Sequence, residues 1–496
     1  MSFILPLTVF LPLACAFVFL FVRNKIKTHF GVCLYTGIVC VVSGLLNVLT
    51  AVFSAGEELG FVLVRITDSV SLTFKADGLS IVFAILMSFM FVTVGFYSFD
   101  YMKHEENTRR FYLFYMCLLG ILSGMYYSAD LISLYLFYEM MTLFSLPLVL
   151  HSLTKEAIKA GFKYLFYSIG GALLSLMAIF VIYSMSTEHE FTAGGFLDSS
   201  LVAGKEGLLL VFVFLAIIGF GCKAGLFPMH DWLPVAHPIA PAPASALLSG
   251  IITKSGVLAI IRVVFYSVGA DLIKGTWVQY TWMTLALVTV FMGSMLAFRE
   301  NGLKKRLAFS TVSQVSYVLF GLSVMNPAAI LGALLHVIFH SVIKDDLFLV
   351  SGVIIHNTGA TRCDELNGIG RKMPVSIIGF TIASIALVGI PPASGFISKW
   401  FLAEGALSSD TGAFSVIGPA VLLVSALLTA GYLLPVMIDG FFKGKTEEAE
   451  EKPFSHEAGA LSLVPIIVLS TLSLLLGIFP GIITGFLETI AGSMLS

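Results

Sequence analysis

Gly219-Phe-Gly-Cys-Lys-Ala-Gly-Leu-Phe-Pro228 interrupts one apolar run, and Gly389-Ile-Pro-Pro-Ala-Ser-Gly-Phe-Ile-Ser-Lys399 interrupts another. Each mixes glycine and proline with one lysine. Proline removes a backbone donor and clashes with the preceding turn. Inside a bilayer the carbonyls it frees must be met by protein or water. A span needs roughly 20 apolar residues. Working outward from the two stretches, such runs recur at 3–22, 30–53, 79–99, 111–127, 131–150, 161–185, 207–225, 243–267, 277–297, 307–325, 328–355, 374–405, 413–438 and 459–487. The expected fold is therefore an all-α integral membrane protein of fourteen helices, with helices 7 and 12 broken. The breaks lie five spans apart, and successive blocks of five spans cross the membrane in opposite senses. This predicts two inverted five-helix repeats, helices 4–8 and 9–13. In residues, the units are helices 1–3 in 1–110, the first repeat in 111–270, the second in 277–440 and a last helix in 455–496. The simpler alternative is two ordinary proline kinks.

Composition agrees with a membrane class. Of 496 residues, 58% are hydrophobic and 12% charged, against about half and a quarter in a soluble domain. Residues 3–22 are too long and too uncharged at their start for a cleaved signal and are taken as the first span. Six cysteines without CxxC spacing argue against an iron–sulfur or zinc site and against a disulfide framework. No G-x-G-x-x-G follows a strand-like segment. Neither cofactor, metal nor nucleic acid is expected. The basic residues alternate by loop. Nineteen (Arg23 to Lys27, Lys103 to Arg110, Lys155 to Lys163, Arg299 to Arg306, Arg362 to Lys372 and Lys443 to Lys452) fall on one side, and four (Arg65, Lys75, Lys205, Lys274) on the other. The richer side is cytoplasmic by the positive-inside rule. An even span number then puts both termini outside a prokaryotic cytoplasmic membrane. The charged run 443–452 (KGKTEEAEEK) is expected to be a solvated cytoplasmic loop.

Several charges fall within spans, where each costs about 2.5–3.5 kcal/mol on insertion scales. Glu139 is central in span 5, Lys223 sits at the break of span 7, and Lys254 is near the middle of span 8. A glutamate between lysines titrates according to whether each lysine holds its proton, the physics of a switchable proton site. A static buried ion pair is the alternative. His336, His340 and Lys344 lie at i, i+4, i+8 on one face of span 11, and imidazole both donates and accepts. Their motif HVIFH lacks the glutamate of a zincin. The blander role is two histidines donating to carbonyls. Lys399 follows the second break. Arg262, near one end of span 8, is expected to snorkel, and Asp130 to cap span 5. His230, Asp231 and His237 suit either a proton entry or a solvated loop.

The stretch from Lys223-Ala-Gly-Leu-Phe-Pro-Met-His-Asp-Trp to Pro-Ala-Pro-Ala-Ser-Ala246, with Thr253-Lys254, Leu134-Tyr-Leu-Phe-Tyr-Glu139, His336/His340/Lys344 and Gly389 to Lys399, resembles the antiporter-like proton-translocating subunits. These occur in respiratory complex I, Mrp-type cation/proton antiporters and membrane-bound energy-converting hydrogenases. The resemblance spans helices 3 to 13. It implies that Glu139 is a charge-coupling acid paired with Lys223, and that Lys254 is the central lysine. It further implies that His336, His340 and Lys344 continue a hydrophilic axis and that Lys399 is its terminal site. The chain would have no catalytic site of its own. It would move protons, and on one reading sodium, within a multisubunit membrane complex. Lysine at 399 resembles the Mrp D subunit, the hydrogenase subunits or the distal complex I subunit, whose long lateral helix is not expected here. Asp345 and Asp346 stand where the family usually has at least one small or apolar residue; an acid beside Lys344 could hold it protonated, which counts against a readily releasing relay. The rival readings are a stand-alone carrier of a small solute, with its site at the breaks, and a membrane redox enzyme. The second would need a haem, quinone or flavin site for which no spacing is visible.

Overall fold

The structure, a computed structural model, describes residues 3–67, 70–442 and 457–495; the expected loop 443–452 lies outside the described residues. Apolar runs this long have one stable solution in lipid, because helices satisfy every backbone group within the segment. The chain is accordingly helical: α1 (Ile4–Val22), α2 (His29–Ser54), α3 (Gly78–Tyr101), α4 (Thr108–Tyr126), α5 (Leu131–Val149), α6 (Lys155–Ser184), the single turn α7 (Ser199–Val202), α8 (Glu206–Ala224), α9 (Leu233–Ile239), α10 (Ala242–Leu247), α11 (Thr253–Ile261), α12 (Trp277–Arg299), α13 (Leu303–Val324), α14 (Pro327–Thr358), α15 (Pro374–Val388), α16 (Ser394–Leu407), α17 (Phe414–Phe442), α18 (Ala460–Ile478) and α19 (Gly481–Ser493). Among the described residues, twelve helical segments are long and apolar enough to cross a membrane. α14 is the longest rod at 32 residues. It packs against α13, α15, α16 and α18 and forms, with α13 and α10–α11, the buried centre.

Four features differ from the sequence reading. Residues 60–65 and 71–75 pair as an antiparallel hairpin, β1 and β2, with a bulge at Val62/Val64. Its β-branched and aromatic residues (Phe61, Val62, Val64, Thr73, Phe74) favour a strand, but the segment is too short to register as a span. The seventh helix is interrupted within residues 219–228, but toward the far end of that stretch and not at Gly219. It runs unbroken to Ala224 and stops at Gly225, which takes a left-handed φ of 77°. Gly219 serves packing instead: a Cβ there would lie 2.4 Å from the Gly171 carbonyl of α6. The eighth span is not one regular helix. Leu248–Ile252 and Arg262–Val268 are π-helical on either side of α11. The last span divides at Phe479-Pro480 into α18 and α19.

The second break is where the sequence put it. α15 ends at Gly389, φ 89°, and α16 begins at Ser394. Both breaks thus use a left-handed glycine to end a helix, the common C-terminal device, with proline following within three residues.

The α6–α8 seam invites a test. Gly171→Ala places a methyl 2.6 Å from the Gly219 carbonyl and should destabilise the fold by about 1–3 kcal/mol, as overpacking does. The thermal midpoint of the detergent-solubilised protein should fall by several degrees; an unchanged midpoint would show that the two backbones are not in close contact.

Candidate functional site

The sequence pattern placed six ionisable residues plus Glu139 on five spans, and the helices bring most of them into one buried band. Lys223, in the last turn of α8, is fully buried. Its ammonium donates to the Tyr164 hydroxyl (2.6 Å) and to Ser168 (2.8 Å) of α6, and lies 4.0 Å over the Tyr164 ring. Ser145 of α5 shares a 2.6 Å hydrogen bond with Tyr164, so Lys223 is tied to the helix that carries Glu139.

Glu139 itself stands apart. It is partly exposed, its Oε1 is buried without a hydrogen-bond partner, and no ion pair joins it to Lys223 among the described residues. The expected Glu139–Lys223 pairing is therefore not a contact; the ammonium turns to Tyr164 and Ser168 of α6 instead. The two groups remain within electrostatic reach of one another.

The second cluster is continuous. Lys254 donates to the Ser249 carbonyl (2.5 Å) and lies 2.7 Å from His340 Nδ1. The His340 ring stacks on His336 at 5.7 Å, and His336 on Tyr317 at 5.5 Å. His336 Nδ1 is 2.9 Å from the Ser398 hydroxyl. Lys399, the next residue, donates to the Leu387 and Val388 carbonyls at 2.6 and 2.9 Å and sits 5.3 Å over Tyr317. Those carbonyls end α15, where unpaired C=O groups and the helix dipole favour a cation. Lys344 donates to the Leu307 carbonyl of α13 at 3.0 Å.

Two expectations about neighbouring charges fail. Asp345 and Asp346 do not neutralise Lys344. Successive helical residues point about 100° apart, so Asp345 turns to Gly250 and Asp346 accepts from Ser470 of α18 at 2.5 Å. Arg262 does not snorkel. It is 1% exposed and forms a two-pronged ion pair with Asp77 at 2.6 and 2.9 Å. Asp130 caps α5 by accepting from the Ser133 amide. Asp231 pairs with Lys163. His237 is fully buried and stacks on Phe348 at 4.8 Å, not solvated.

Known proteins resemble this chain along most of its length. Residues 128–428 match the family described as NADH:quinone oxidoreductase/Mrp antiporter, TM, and residues 65–112 match the N-terminus of chain 5 of NADH-ubiquinone oxidoreductase (complex I). The chain is 32% identical over 407 residues to the N subunit of NADH-quinone oxidoreductase from Desulforudis audaxviator, covering 80% of this chain and 79% of that one. It is 30% identical to the D subunit of a Na(+)/H(+) antiporter from Alkalihalophilus pseudofirmus, covering 81% and 79%. A chain of the Mrp complex from Dietzia sp. superposes with a TM-score of 0.87 at 21% identity, over 100% of this chain and 98% of that one.

The chain belongs to the NADH:quinone oxidoreductase/Mrp antiporter family.

Three parts of this antiporter-like chain escaped the sequence reading. Asp77 was hidden at a span end, although it both caps α3 and holds Arg262. The stripe Ser310, Thr311, Ser313, Gln314 and Ser316 on α13 is wholly buried. Five polar residues in Ser310-Thr-Val-Ser-Gln-Val-Ser316 were a visible signal once uncharged groups are weighed. Thr311 bonds Ser249 at 2.8 Å, while both amide atoms of Gln314 lack a partner among the described residues. α13 packs against both α8 and α11, the helices of Lys223 and Lys254. The third part is the pair of π-helical stretches around Lys254, which no periodicity announces.

Removing one acceptor from Lys223 tests this local arrangement. Tyr164→Phe and Ser168→Ala should each destabilise the protein by about 1.5–3 kcal/mol, as for hydrogen bonds to charged groups. Because both serve one ammonium, the double variant should lose less than the sum. Strict additivity in thermal unfolding would mean that the two groups do not share Lys223.

Proposed function

We propose that this chain is the ion-translocating subunit of a multisubunit membrane complex of Mrp D or membrane-bound hydrogenase type, carrying protons along Glu139, Lys223, Lys254, His336, His340, Lys344 and Lys399. The observation that carries the reading is the contiguous buried row of Lys254, His340, His336 and Ser398, beside Lys399. Lys254 and His340 meet in a hydrogen bond, as do His336 and Ser398; between the two stacked imidazoles, whose Nε2 atoms have no partner among the described residues, water carries the proton in this reading. Between Lys223 and Lys254 no direct hydrogen bond runs among the described residues. Gln314 and Ser316, buried without partners there on α13, are groups that ordered water satisfies, and water completes the line in this reading.

The ends of the line support a role among neighbours. Glu139 and Lys399 are partly exposed, while the residues between them are buried. Glu139 lies on a face with Leu136 (41% exposed) and Leu143 (56% exposed), which in a lone chain would present a carboxylate to lipid at a cost of about 2.5–3.5 kcal/mol. An adjoining membrane subunit covers it and supplies the shifting charge that drives Glu139. The breaks themselves are filled: a Cβ on Gly225 would lie 2.5 Å from Leu233, and one on Gly395 1.9 Å from the Ala386 carbonyl. Such packing favours a proton over a small solute. The relative named as part of a Na(+)/H(+) antiporter extends the proposal to sodium exchange by the complex. The similarity to the N subunit of NADH-quinone oxidoreductase keeps a complex I role as the second reading.

In this reading fourteen spans cross the membrane. α4 and the α15–α16 pair join the twelve, with helices 1–3 in 1–110, inverted repeats in 111–270 and 277–440, and a last helix in 455–496. The matching helix–glycine–proline construction of the two breaks supports the repeat. The excess of Lys and Arg on alternate loops supports a cytoplasmic side and external termini in a cell membrane.

Glu139→Gln, and separately Lys223→Ala, should lower proton translocation by about 10²-fold or more, the scale of a lost proton-transfer group, with the complex still assembled. The measurement is pH-dye quenching in vesicles bearing the native complex, alongside co-purification of its subunits. Near-normal proton and sodium movement in either variant would reject the proposal.

A further inference from the structure

Asp345 is a mid-membrane acid that the relay above does not use. It is 0% exposed, and neither carboxyl oxygen has a hydrogen-bond partner among the described residues. By contrast, Lys223, Lys254, Lys344, Lys399 and Asp346 all have at least one. An ionised carboxylate buried with no donor is costly enough that such groups are found paired or neutral.

Its placement is built rather than incidental. The carboxyl lies against Gly250 inside the π-helical stretch Leu248–Ile252. A Cβ at Gly250 would lie 2.0 Å from Asp345 Oδ1 and 2.8 Å from Oδ2, so only glycine admits the acid there. The same stretch offers the Ser249 carbonyl to the Lys254 ammonium and the Gly250 carbonyl to the Ser341 hydroxyl, at 2.5 and 2.6 Å. π-helical turns inside helices are frequent at functional sites. The ionisable groups that reach Asp345 electrically are Lys254, its neighbour Asp346 and Tyr115 of α4. Of these, Asp346 is engaged by Ser470 and the Tyr115 hydroxyl by the Phe91 carbonyl.

We propose that Asp345 is a further proton-binding residue of the axis, which holds a proton against Gly250 and exchanges it with Lys254. The two groups do not hydrogen-bond directly, so the proton crosses on ordered water: the carboxyl O–H bond breaks, an N–H bond forms on the neutral amine, and carboxylate and ammonium remain; no electrons are transferred. Lys254, 2.7 Å from His340 Nδ1, then hands a proton to the imidazole and is free to exchange again. The central lysine thereby has an acid partner within its own chain. The inference rests on the proton-translocating role proposed above.

The test uses the assembled complex in vesicles. Asp345→Asn keeps shape and burial but holds no transferable proton, and should cut proton translocation at least tenfold with subunits co-purifying normally. Asp345→Glu should restore part of it, which a purely structural role would not require. Infrared spectra of the native complex should contain a deuteration-sensitive C=O band of a protonated carboxyl that is lost in Asp345→Asn and kept in Asp346→Asn. In Lys254→Gln that band should persist and no longer change when transport is driven, a readout that stands even where Asp345→Asn does not assemble. A native rate in Asp345→Asn overturns the inference, as does a band that survives Asp345→Asn or still responds in Lys254→Gln. Lys254→Gln also separates the two claims. If it transports normally the relay itself fails, whereas if it is inactive and Asp345→Asn is not, only the role of Asp345 fails.

Discussion

A charged amine inside a helix bundle has to be solvated by something other than water, and the way this chain solves that problem shapes the rest of it. Lys399 rests on two carbonyls that α15 leaves unused when it stops at Gly389. Lys254 rests on Ser249, within a stretch wound as a π-helix. Lys344 takes a carbonyl of α13, and Lys223 takes hydroxyls from α6. Each ammonium is thus held by partial charges and not by a formal anion. An ion pair would fix the proton; a carbonyl or hydroxyl seat tolerates both the charged and the neutral amine, which is what a group that must load and unload requires.

The irregular backbone follows from the same constraint. Lipid forbids unpaired carbonyls, so a broken or π-wound helix persists only where a side chain takes up what is released. The lysines and the irregularities stabilise one another. Replacing either alone would strand the other, and this explains why the interruptions coincide with Lys254 and Lys399. Lys223 is the informative variation. Its helix ends at Ala224, one residue on, but the carbonyls freed there are taken by other donors, Gly221 by the Leu226 amide and Cys222 by the Gly225 amide and the Trp232 indole, and its own partners are side chains of α6.

The same contrast separates what could be read from the chain from what could not. A lysine in an apolar run, two histidines four residues apart, and a glycine ending a helix before a proline are local patterns. Lys223, Lys254, His336, His340, Lys344 and Lys399 could therefore be picked out as candidates without coordinates. The partner of each group was not legible, because partnership depends on which way a side chain turns from its helix. Adjacent sequence positions made Asp345 and Asp346 look like counter-ions for Lys344, but a helix sends consecutive residues in different directions. Arg262 looked like a surface anchor because Asp77 is 185 residues away. Uncharged polar groups such as Gln314 were passed over because hydroxyl and amide side chains in membrane helices are common, and only burial without a partner marks them.

The distribution of charge along the axis has a consequence for how protonation spreads. Its middle carries amines and imidazoles whose neighbours are carbonyls and hydroxyls, and its acids are few: Glu139 at one partly exposed end, with Asp345 and Asp346 buried beside the centre. Like charges at this depth repel strongly because little water screens them. Protonating one amine therefore opposes protonation of the next, and a positive charge entering at one end favours release further on. In the proposed reading Glu139 lies at the end where such a disturbance from an adjoining subunit is felt first. Propagation needs no large motion of the helices, only that each seat accept its amine in either state, and the carbonyls and hydroxyls beneath the lysines meet that condition.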